Sequence, residues 1–239
     1  MSNPVAKAAL FDGFARIGHA LASGRRAEIV DLLANGERSV ESLAAALGMS
    51  VGNASQHLQI LRRAGLIVGR RQGNQIYYAL AGEDVFTLWS TLRSVAAQRV
   101  ADVERLAAEY LEHRDTLQPV TRGELARRLR ERLPPIVLDV RPREEYETAH
   151  VPGAVSIPVS ELRRRLREVP KEREVVAYCR GPYCVFAHEA VQILRSAGYD
   201  ARRLEDGLPE WRHAGLAVAI GPTDADESAP ARQHRGERR

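Results

Sequence analysis

The chain has 239 residues, of which 44% are hydrophobic and 28% are charged. This composition excludes a membrane or low-complexity protein, and the length suits one large domain or two ordinary ones. We expect a cytoplasmic protein without a membrane partner, because no apolar run approaches the ~20 residues of a spanning helix and no signal-peptide pattern is present. The net charge of +4 only weakly favours an anionic partner.

Four helices are predicted near the start of the chain. The first two cover residues 5–22 and 26–33, and the third covers residues 39–47. The fourth, residues 51–63, follows Ser50, whose hydroxyl can cap its first turn. The third and fourth helices, joined by a tight turn, are typical of a helix-turn-helix.

The fourth helix and the segment after it carry the residues expected to contact DNA. Asn and Gln can pair with adenine, and Ser can reach bases or phosphates. Residues 65–80 alternate and turn at Gly73, which predicts a two-stranded wing with arginines near its tip for phosphate contacts. A winged helix used only for protein contacts is the alternative. The predicted DNA-binding residues are Ser50, Asn53, Ser55, Gln56, His57, Gln59, Arg70, Arg71 and Asn74.

This half resembles the ArsR family of winged-helix repressors over residues 26–80. Members of that family are homodimers that hold a DNA operator until an inducer binds, so the resemblance implies these two partners. Metal-sensing relatives carry Cys-x-Cys in the third helix, but residues 39–44 contain no cysteine. Asp102, Glu104 and His113 do not reproduce the spacing of a second family metal site. The similarity is carried by Ser39-Val-Glu-Ser-Leu-Ala, Leu47-Gly-Met-Ser, Ser55-Gln-His-Leu and Ala64-Gly-Leu-Ile.

A long helix is predicted over residues 83–114. Its apolar positions recur every three or four residues, and at ~45 Å it would outreach its own domain. Such a seam suits pairing with a second copy, and a two-fold dimer implies a pseudo-palindromic DNA site. The apolar positions are Trp89, Leu92, Ala96, Val100, Val103, Ala107 and Tyr110.

The second half alternates strands with helices, which indicates an open, largely parallel α/β sheet. The predicted fold class is therefore two domains, a mainly-α winged helix-turn-helix and an α/β domain with flanking helices. The strands are predicted at residues 136–140, 154–157, 174–178 and 201–204. The predicted domain limits are 1–114 and 120–220, with a linker at 115–119 and a disordered tail at 221–239.

The two cysteines of the chain, Cys179 and Cys184, bracket a loop between a predicted strand and a helix. A ligand site is expected at the carboxyl ends of parallel strands, and Cys179 lies at such an end. Backbone amides and the positive end of the helix dipole should stabilise its thiolate. The expected amide donors are those of Arg180, Gly181, Tyr183, Cys184 and Val185, with the Arg180 charge nearby.

This half resembles the rhodanese, or sulfurtransferase, domain over residues 121–218. The resemblance implies that Cys179 carries sulfane sulfur as a covalent persulfide, with no separate cofactor. Asp139, Arg141 and His150 are expected to be supporting residues, the first two fixing turns near the site. The motifs are Leu138-Asp-Val-Arg-Pro142, Ala149-His-Val-Pro-Gly-Ala-Val-Ser-Ile-Pro158, Tyr178-Cys179 and Gly207-Leu-Pro-Glu-Trp211.

The chain departs from these relatives at the end of the loop. In thiosulfate-using relatives the position of Cys184 is commonly basic, so efficient thiosulfate turnover is in doubt. Phosphatase and arsenate-reductase relatives close a longer loop with an arginine. The corresponding residue here is Val185, which argues against phosphoryl or arsenate chemistry.

A second thiol in the loop leaves several chemistries open. Cys184 could attack a persulfide on Cys179 and release sulfide, or both sulfurs could stay in a longer bridge. Metal capture by Cys179, Cys184 and His188 is a competing hypothesis. We expect a DNA-binding regulator of the repressor type that senses reactive sulfur or thiol species. The alternatives are a sulfurtransferase with an attached DNA-binding domain and a rhodanese domain that serves only as an interaction module.

Overall fold

The computed structural model describes residues 3–111 and 118–222. The chain divides into two compact units that meet in sequence between Tyr110 and Leu111. This division lies close to the predicted end of the first domain at residue 114. Within the described ranges no helix is long and apolar enough to cross a membrane.

Some predictions fall outside these ranges. Of the predicted linker at 115–119, only residues 118 and 119 are described, and of the predicted tail at 221–239, only residues 221 and 222 are described. His113 is outside as well. The linker and the tail therefore stay predictions.

Capped helices make up most of the first unit. The hydroxyl of Ser39 accepts a hydrogen bond from the amide of Ser42 at 3.2 Å, and that of Ser50 accepts one from Asn53 at 3.3 Å. Each contact satisfies an amide that the helix itself leaves open. The helices are α1 (Pro4–Leu21), α2 (Gly24–Ala34), α3 (Val40–Ala46), α4 (Val51–Arg63), α5 (Glu83–Arg99) and α6 (Ala101–Tyr110).

The predicted wing is a small antiparallel sheet. Its strands are β1 (Arg38–Ser39), β2 (Ile67–Gln72) and β3 (Gln75–Leu80), in the order β1-β3-β2. Gly73 turns the hairpin with a φ of 60°, a left-handed conformation that glycine adopts without strain. The helix-turn-helix followed by a wing is therefore confirmed.

Apolar packing fixes which side of α4 faces outward. Leu58 and Leu61 of α4 are fully buried against Leu43 of α3 and Ile29 of α2. Burial of each such side chain contributes roughly 1.5–3 kcal/mol. The polar positions of α4 are left on the opposite side, where they can meet a partner.

The single helix predicted over residues 83–114 is wrong. The chain breaks at Val100, which has an extended backbone (φ −100°, ψ 106°) between α5 and α6. The apolar repeat continues across the break, so periodicity alone could not reveal it. A β-branched residue favours the extended conformation, and α6 has no buried residue that would hold the two segments in line.

The second unit is a parallel sheet with flanking helices, as predicted. Its strands are β4 (Ile136–Asp139), β5 (Val155–Ser156), β6 (Val175–Tyr178) and β7 (Ala201–Arg203), in the order β5-β4-β6-β7. The helices are α7 (Arg122–Arg128), α8 (Arg143–Thr148), α9 (Val159–Arg165, continued by a 3₁₀ turn at Leu166–Glu168), α10 (Val185–Ser196) and α11 (Leu208–His213).

The central strands β4 and β6 are buried along their whole length. In β6, Val175 and Ala177 pack on one face of the sheet, in the same apolar cluster as α10. Val176 and Tyr178 pack on the other face, in the same cluster as Trp211 of α11. This alternation places the end of β6 inside the protein, which is where the cysteine loop begins.

A buried cluster of Asp139, Arg141 and Tyr178 links the carboxyl ends of β4 and β6. Oδ2 of Asp139 lies 2.6 Å from Nη2 of Arg141, and neither side chain is exposed. Asp139 also accepts hydrogen bonds from the amide of Arg141 at 3.0 Å and from the hydroxyl of Tyr178 at 2.5 Å. Burial alone would lower the pKa of the Arg141 guanidinium, but the charge of Asp139 raises that pKa above its ordinary value, so the pair stays ionised.

Replacing Asp139 by Ala should destabilise the second unit by about 3–5 kcal/mol, because it leaves the charge of Arg141 buried without its partner. Urea unfolding followed by the fluorescence of Trp211, in a Trp89→Phe background, measures the loss. Glu144→Ala removes an exposed carboxylate from α8 and is the control, with a change below ~0.5 kcal/mol. A loss under ~1 kcal/mol for Asp139→Ala would show that the pair is not a major support.

Candidate functional site

The two cysteines lie at either end of a short loop. Cys179 directly follows β6, and Cys184 directly precedes α10. The amide of Cys184 donates to the carbonyl of Gly181 at 3.1 Å, which closes a turn that also contains the half-buried Tyr183. No disulfide joins the two sulfurs, and Sγ of Cys179 lies 3.5 Å from the carbonyl oxygen of Cys184.

The two thiols differ in exposure and in acidity. Cys179 is 1% exposed, whereas Cys184 is only partly buried. Burial raises the pKa of the Cys179 thiol well above its ordinary value, and its hydrogen bond with Cys184 raises it further. The same hydrogen bond lowers the pKa of the Cys184 thiol to about 7. Burial opposes this shift, whereas hydrogen bonds from the backbone amides of Arg180 and Phe186 add to it. Of the two thiols, Cys184 is therefore the one that ionises first, at a pH near neutral.

This differs from the prediction, which placed the thiolate on Cys179. The sulfur of Cys179 does receive hydrogen bonds from the amides of Gly181 and Ala187, but they do not offset its complete burial. Cys184 is the N-cap of α10, so it lies at the positive end of that helix and keeps some access to solvent.

The amides that contact the sulfurs are partly those predicted. Arg180 and Gly181 were expected and do contribute. The amide of Cys184 is engaged in the turn of the loop instead. Phe186 and Ala187, which the sequence reasoning missed, supply further donors. Their place in the first turn of α10 was the available signal, since the amides there have no partner within the helix.

Arg180 has a partner that the sequence did not indicate. Its Nε lies 3.0 and 3.1 Å from the two carboxylate oxygens of Glu145, and its Nη2 lies 2.5 Å from one of them. The guanidinium also lies 5.0 Å from the ring centroid of Phe186. The charge of Arg180 is therefore held between a carboxylate and an aromatic ring, although it still favours the Cys184 thiolate.

Gly207 has a structural role that the sequence did not indicate. A Cβ atom at this position would collide with the backbone of Arg180 and Gly181. The next amide, of Leu208, donates to the carbonyl of Cys179 at 3.3 Å. The start of α11 therefore packs directly on the cysteine loop, and only glycine allows this approach.

The three predicted supporting residues are all buried. Asp139 and Arg141 form the ion pair described above, and the Asp139 carboxylate holds the residue just before Cys179 through its hydroxyl. His150 stacks on Tyr146 at 3.7 Å, and its Nδ1 lies 2.8 Å from the Tyr146 carbonyl oxygen. These contacts are those of residues that hold the scaffold.

The three residues of the metal-capture hypothesis, Cys179, Cys184 and His188, are not brought together as a ligand group in the part of the chain that the structure describes. Among residues 3–111 and 118–222, no three His, Cys, Asp or Glu side chains form a group able to hold a metal ion. His188 follows Cys184 by one helical turn, but it is buried with the inner face of α10.

The first unit presents the predicted DNA-binding residues on α4 and the wing. The inward positions Ala54, Leu58 and Leu61 are fully buried, which fixes the orientation of the helix. Ser55 and His57 are half-buried beside them. The exposed members of the set are Ser50, Asn53, Gln56, Gln59, Arg70, Arg71 and Asn74.

The two wing arginines are not equivalent. Nε of Arg70 lies 2.7 Å and Nη2 lies 2.5 Å from the carboxylate oxygens of Glu37, and its guanidinium lies 5.3 Å from the centre of the Tyr77 ring. Nε of Arg71 donates to the carbonyl of Gly73 at 3.1 Å, a contact that leaves its charge uncompensated. Glu37 therefore competes with any phosphate for Arg70.

Sequence comparison identifies both units. Residues 23–68 match the bacterial regulatory protein arsR family, and residues 121–214 match the rhodanese-like domain. The HTH-type transcriptional regulator Rv0324 of Mycobacterium tuberculosis is 50% identical over 224 residues, which cover 94% of this chain and 95% of that protein. The chain belongs to the ArsR family. It is an ArsR-family transcriptional regulator with a C-terminal rhodanese domain.

Further similarities cover parts of the ArsR-family chain. A sulfurtransferase of Allochromatium vinosum is 30% identical over 95 residues, 39% of this chain and 87% of that protein. The homodimeric winged helix-turn-helix DNA-binding domain Mb0332 of Mycobacterium bovis is 52% identical and covers 39% of this chain and 86% of its own, with a TM-score of 0.38. A rhodanese-related protein of Thermoplasma volcanium is 22% identical, with a TM-score of 0.40, and the match covers 44% of this chain and 99% of that protein's chain.

The alkylation rate of Cys184 in this ArsR-family regulator should rise with pH and reach half its plateau near pH 7, because the thiolate is the reactive form. In Cys179→Ala the midpoint should move upward, since the thiolate loses its hydrogen-bond donor. In Cys179→Ser it should move less, because the hydroxyl can still donate. Peptide mass spectrometry after timed iodoacetamide pulses measures the rates, and equal midpoints in all three proteins would disprove the shared hydrogen bond.

Proposed function

We propose that this regulator is a homodimeric repressor of a DNA operator, and that its rhodanese domain senses sulfane sulfur or redox state through Cys179 and Cys184. The observation that carries the proposal is the pair of thiols at the two ends of one loop, between β6 and α10. Both cysteines of the chain lie in one loop, and the pKa of Cys184 is lowered to about 7, so that its thiolate can react near neutral pH. The same chain contains a winged helix, whose DNA binding such a pair could control.

The geometry of α4 and the wing supports DNA as the partner of the first unit. The N-terminal part of α4 carries exposed Asn53 and Gln56, which have the donors and acceptors to read base edges in the major groove. Exposed Ser50 at the start of the helix suits a phosphate contact. On the wing, Arg71 offers its charge to the phosphate backbone more readily than Arg70 does.

Exposed apolar side chains on α1, α5 and α6 support a second copy of the chain as the other partner. Phe11 and Phe14 are 57% and 62% exposed, which is unusual for neighbouring aromatic residues in a protein that stays monomeric. A two-fold partner that covers these side chains would bury them. The exposed set is Val5, Leu10, Phe11 and Phe14 on α1, Leu88, Leu92 and Val95 on α5, Val100 at the break, and Leu106 and Tyr110 on α6.

The pair supports a stepwise reaction with a persulfide, RS–SH. The Cys184 thiolate attacks the terminal sulfur, so that a new S–S bond forms, the S–S bond of the donor breaks, and RS⁻ leaves with the electron pair. Cys179 then attacks the inner sulfur of the Cys184 persulfide, loses its proton to the leaving hydrosulfide, and forms the Cys179–Cys184 disulfide. The two thiols are oxidised together, and the sulfane sulfur is reduced to sulfide.

This reaction would change both the charge and the shape of the loop. It removes the negative charge that the amides of Arg180 and Phe186 stabilise. It also joins the residue after β6 to the residue before α10 by a covalent bond. A loop rebuilt in this way is a two-state element of the kind that a switch requires.

Treatment with inorganic polysulfide should weaken operator binding by the full-length protein by about tenfold, within the usual range of allosteric coupling. The probe is a duplex selected from a random pool by the untreated protein, and gel shift measures the affinity. Cys179→Ser and Cys184→Ser should each bind the duplex normally and fail to respond. Dithiothreitol should restore binding of the treated wild type.

The same experiment separates the alternatives. Equal affinity of treated and untreated wild-type protein would rule out the sensor. Repeated turnover of sulfur to cyanide, unaffected by Cys184→Ser, would identify a sulfurtransferase with an attached DNA-binding domain. If neither substitution alters DNA binding, sulfur transfer or the polysulfide response, the rhodanese domain is an interaction module. Arg71→Ala, which should lose DNA affinity while its thiols react normally, is the control for the two readouts.

A further inference from the structure

Arg180, the cation in the cysteine loop, forms a salt bridge with the carboxylate of Glu145. Arg180 and Glu145 are 21% and 11% exposed, so their contact is shielded from water more than a surface ion pair is. Two hydrogen bonds from Nε and one from Nη2 hold the guanidinium on the carboxylate. Both residues lie at the carboxyl-end edge of the sheet, Glu145 on α8 just after β4 and Arg180 just after β6.

A third group also restrains the guanidinium. The face of Phe186, in the first turn of α10, lies 5.0 Å below it. An arginine stacked on a ring and paired with a carboxylate has little freedom to turn towards an incoming anion. The positive charge of Arg180 beside the loop is therefore neutralised by the negative charge of Glu145.

The charges around the loop favour some sulfur donors over others. Near neutral pH, Arg180 supplies one positive charge, while the carboxylate of Glu145 and the cysteine pair supply negative ones. A dianionic donor whose charge lies next to its sulfane sulfur must bring both charges up to the Cys184 thiolate. Like charges repel strongly in a partly buried site, where water screens them poorly.

Thiosulfate is such a donor, because its sulfane sulfur is bonded directly to the sulfonate. Transfer of that sulfur to Cys184 also expels sulfite, which leaves with two negative charges and needs a free cation to receive it. A hydropersulfide, RS–SH, carries at most one negative charge, and its protonated form presents a terminal sulfur that bears only hydrogen. Its leaving group is a thiolate with one charge, which takes up a proton from water.

We infer that Glu145 is a specificity-determining residue that occupies Arg180, so that the loop accepts sulfur from hydropersulfides of small thiols and discriminates against thiosulfate. This inference rests on the proposed role of the loop as a sulfur acceptor. In the favoured step the Cys184–S bond to the terminal sulfur forms, the RS–SH bond breaks, and the electron pair leaves with RS⁻. The sulfane sulfur keeps its oxidation state.

The test compares two donors on the full-length protein. The rate constants for loading the loop with sulfur are measured by mass spectrometry, with thiosulfate and with an alkyl hydropersulfide whose alkyl group carries no charge. Glu145→Gln should raise the ratio of the thiosulfate constant to the hydropersulfide constant by about tenfold, because the freed Arg180 can then meet the sulfonate. A merely structural role for Glu145 would alter both constants together and leave the ratio unchanged.

Two further variants keep the test decisive. Glu144→Gln removes an exposed carboxylate from the same helix and should leave the ratio as in wild type. Glu145→Asp, which shortens the reach to Arg180, should raise the ratio in the same direction if Glu145→Gln does not fold. An unchanged ratio in the folded Glu145 variant, or an equal rise in Glu144→Gln, overturns the inference.

The wild-type protein distinguishes the two levels of the proposal. If it takes sulfur from neither donor, the loop is not a sulfur acceptor, and the proposed function fails together with the inference. If it takes sulfur from thiosulfate as fast as from the hydropersulfide, the proposed function stands and only the role of Glu145 is wrong.

Discussion

The cysteine loop depends on one buried carboxylate. Asp139 ends β4, and it accepts hydrogen bonds from Arg141 and from the hydroxyl of Tyr178, the last residue of β6. This contact joins the two neighbouring strands at their carboxyl ends, and together with their backbone pairing it holds the point where Cys179 leaves the sheet.

Within the loop, the ionisable groups contact one another in two pairs, Cys179 with Cys184 and Arg180 with Glu145. Cys179 is buried as a thiol and donates to Cys184, whose thiolate lies at the start of α10. Arg180 is matched by Glu145 in the same way. In this loop Cys184 is the reactive sulfur, Cys179 is a second thiol, and the charge of Arg180 is neutralised by Glu145. Such a loop suits sulfur donors that carry little negative charge. It also fits a switch, because formation of the Cys179–Cys184 disulfide removes the negative charge of the Cys184 thiolate.

Much of this architecture could be predicted from local sequence. Capping serines, the 3.6-residue repeat and the glycine turn gave the winged helix, and alternation of strands with helices gave the parallel sheet and the cysteine loop. The break at Val100 could not be predicted, because the apolar repeat runs through it. The pairing of Arg180 with Glu145 and the lower pKa of Cys184 depend on contacts across the fold and on burial, which residue spacing does not encode.

The most direct measurement is mass spectrometry of the peptide that contains Cys179 and Cys184, taken from the full-length protein after exposure to a hydropersulfide, with DNA affinity measured on the same sample. A loop that acts as the switch should lose two hydrogens as a disulfide, or retain one sulfur as a bridge, in proportion to the DNA released. DNA release from protein with two unmodified thiols, or complete modification of the loop with unchanged DNA affinity, would contradict a sulfur-sensing role for this pair.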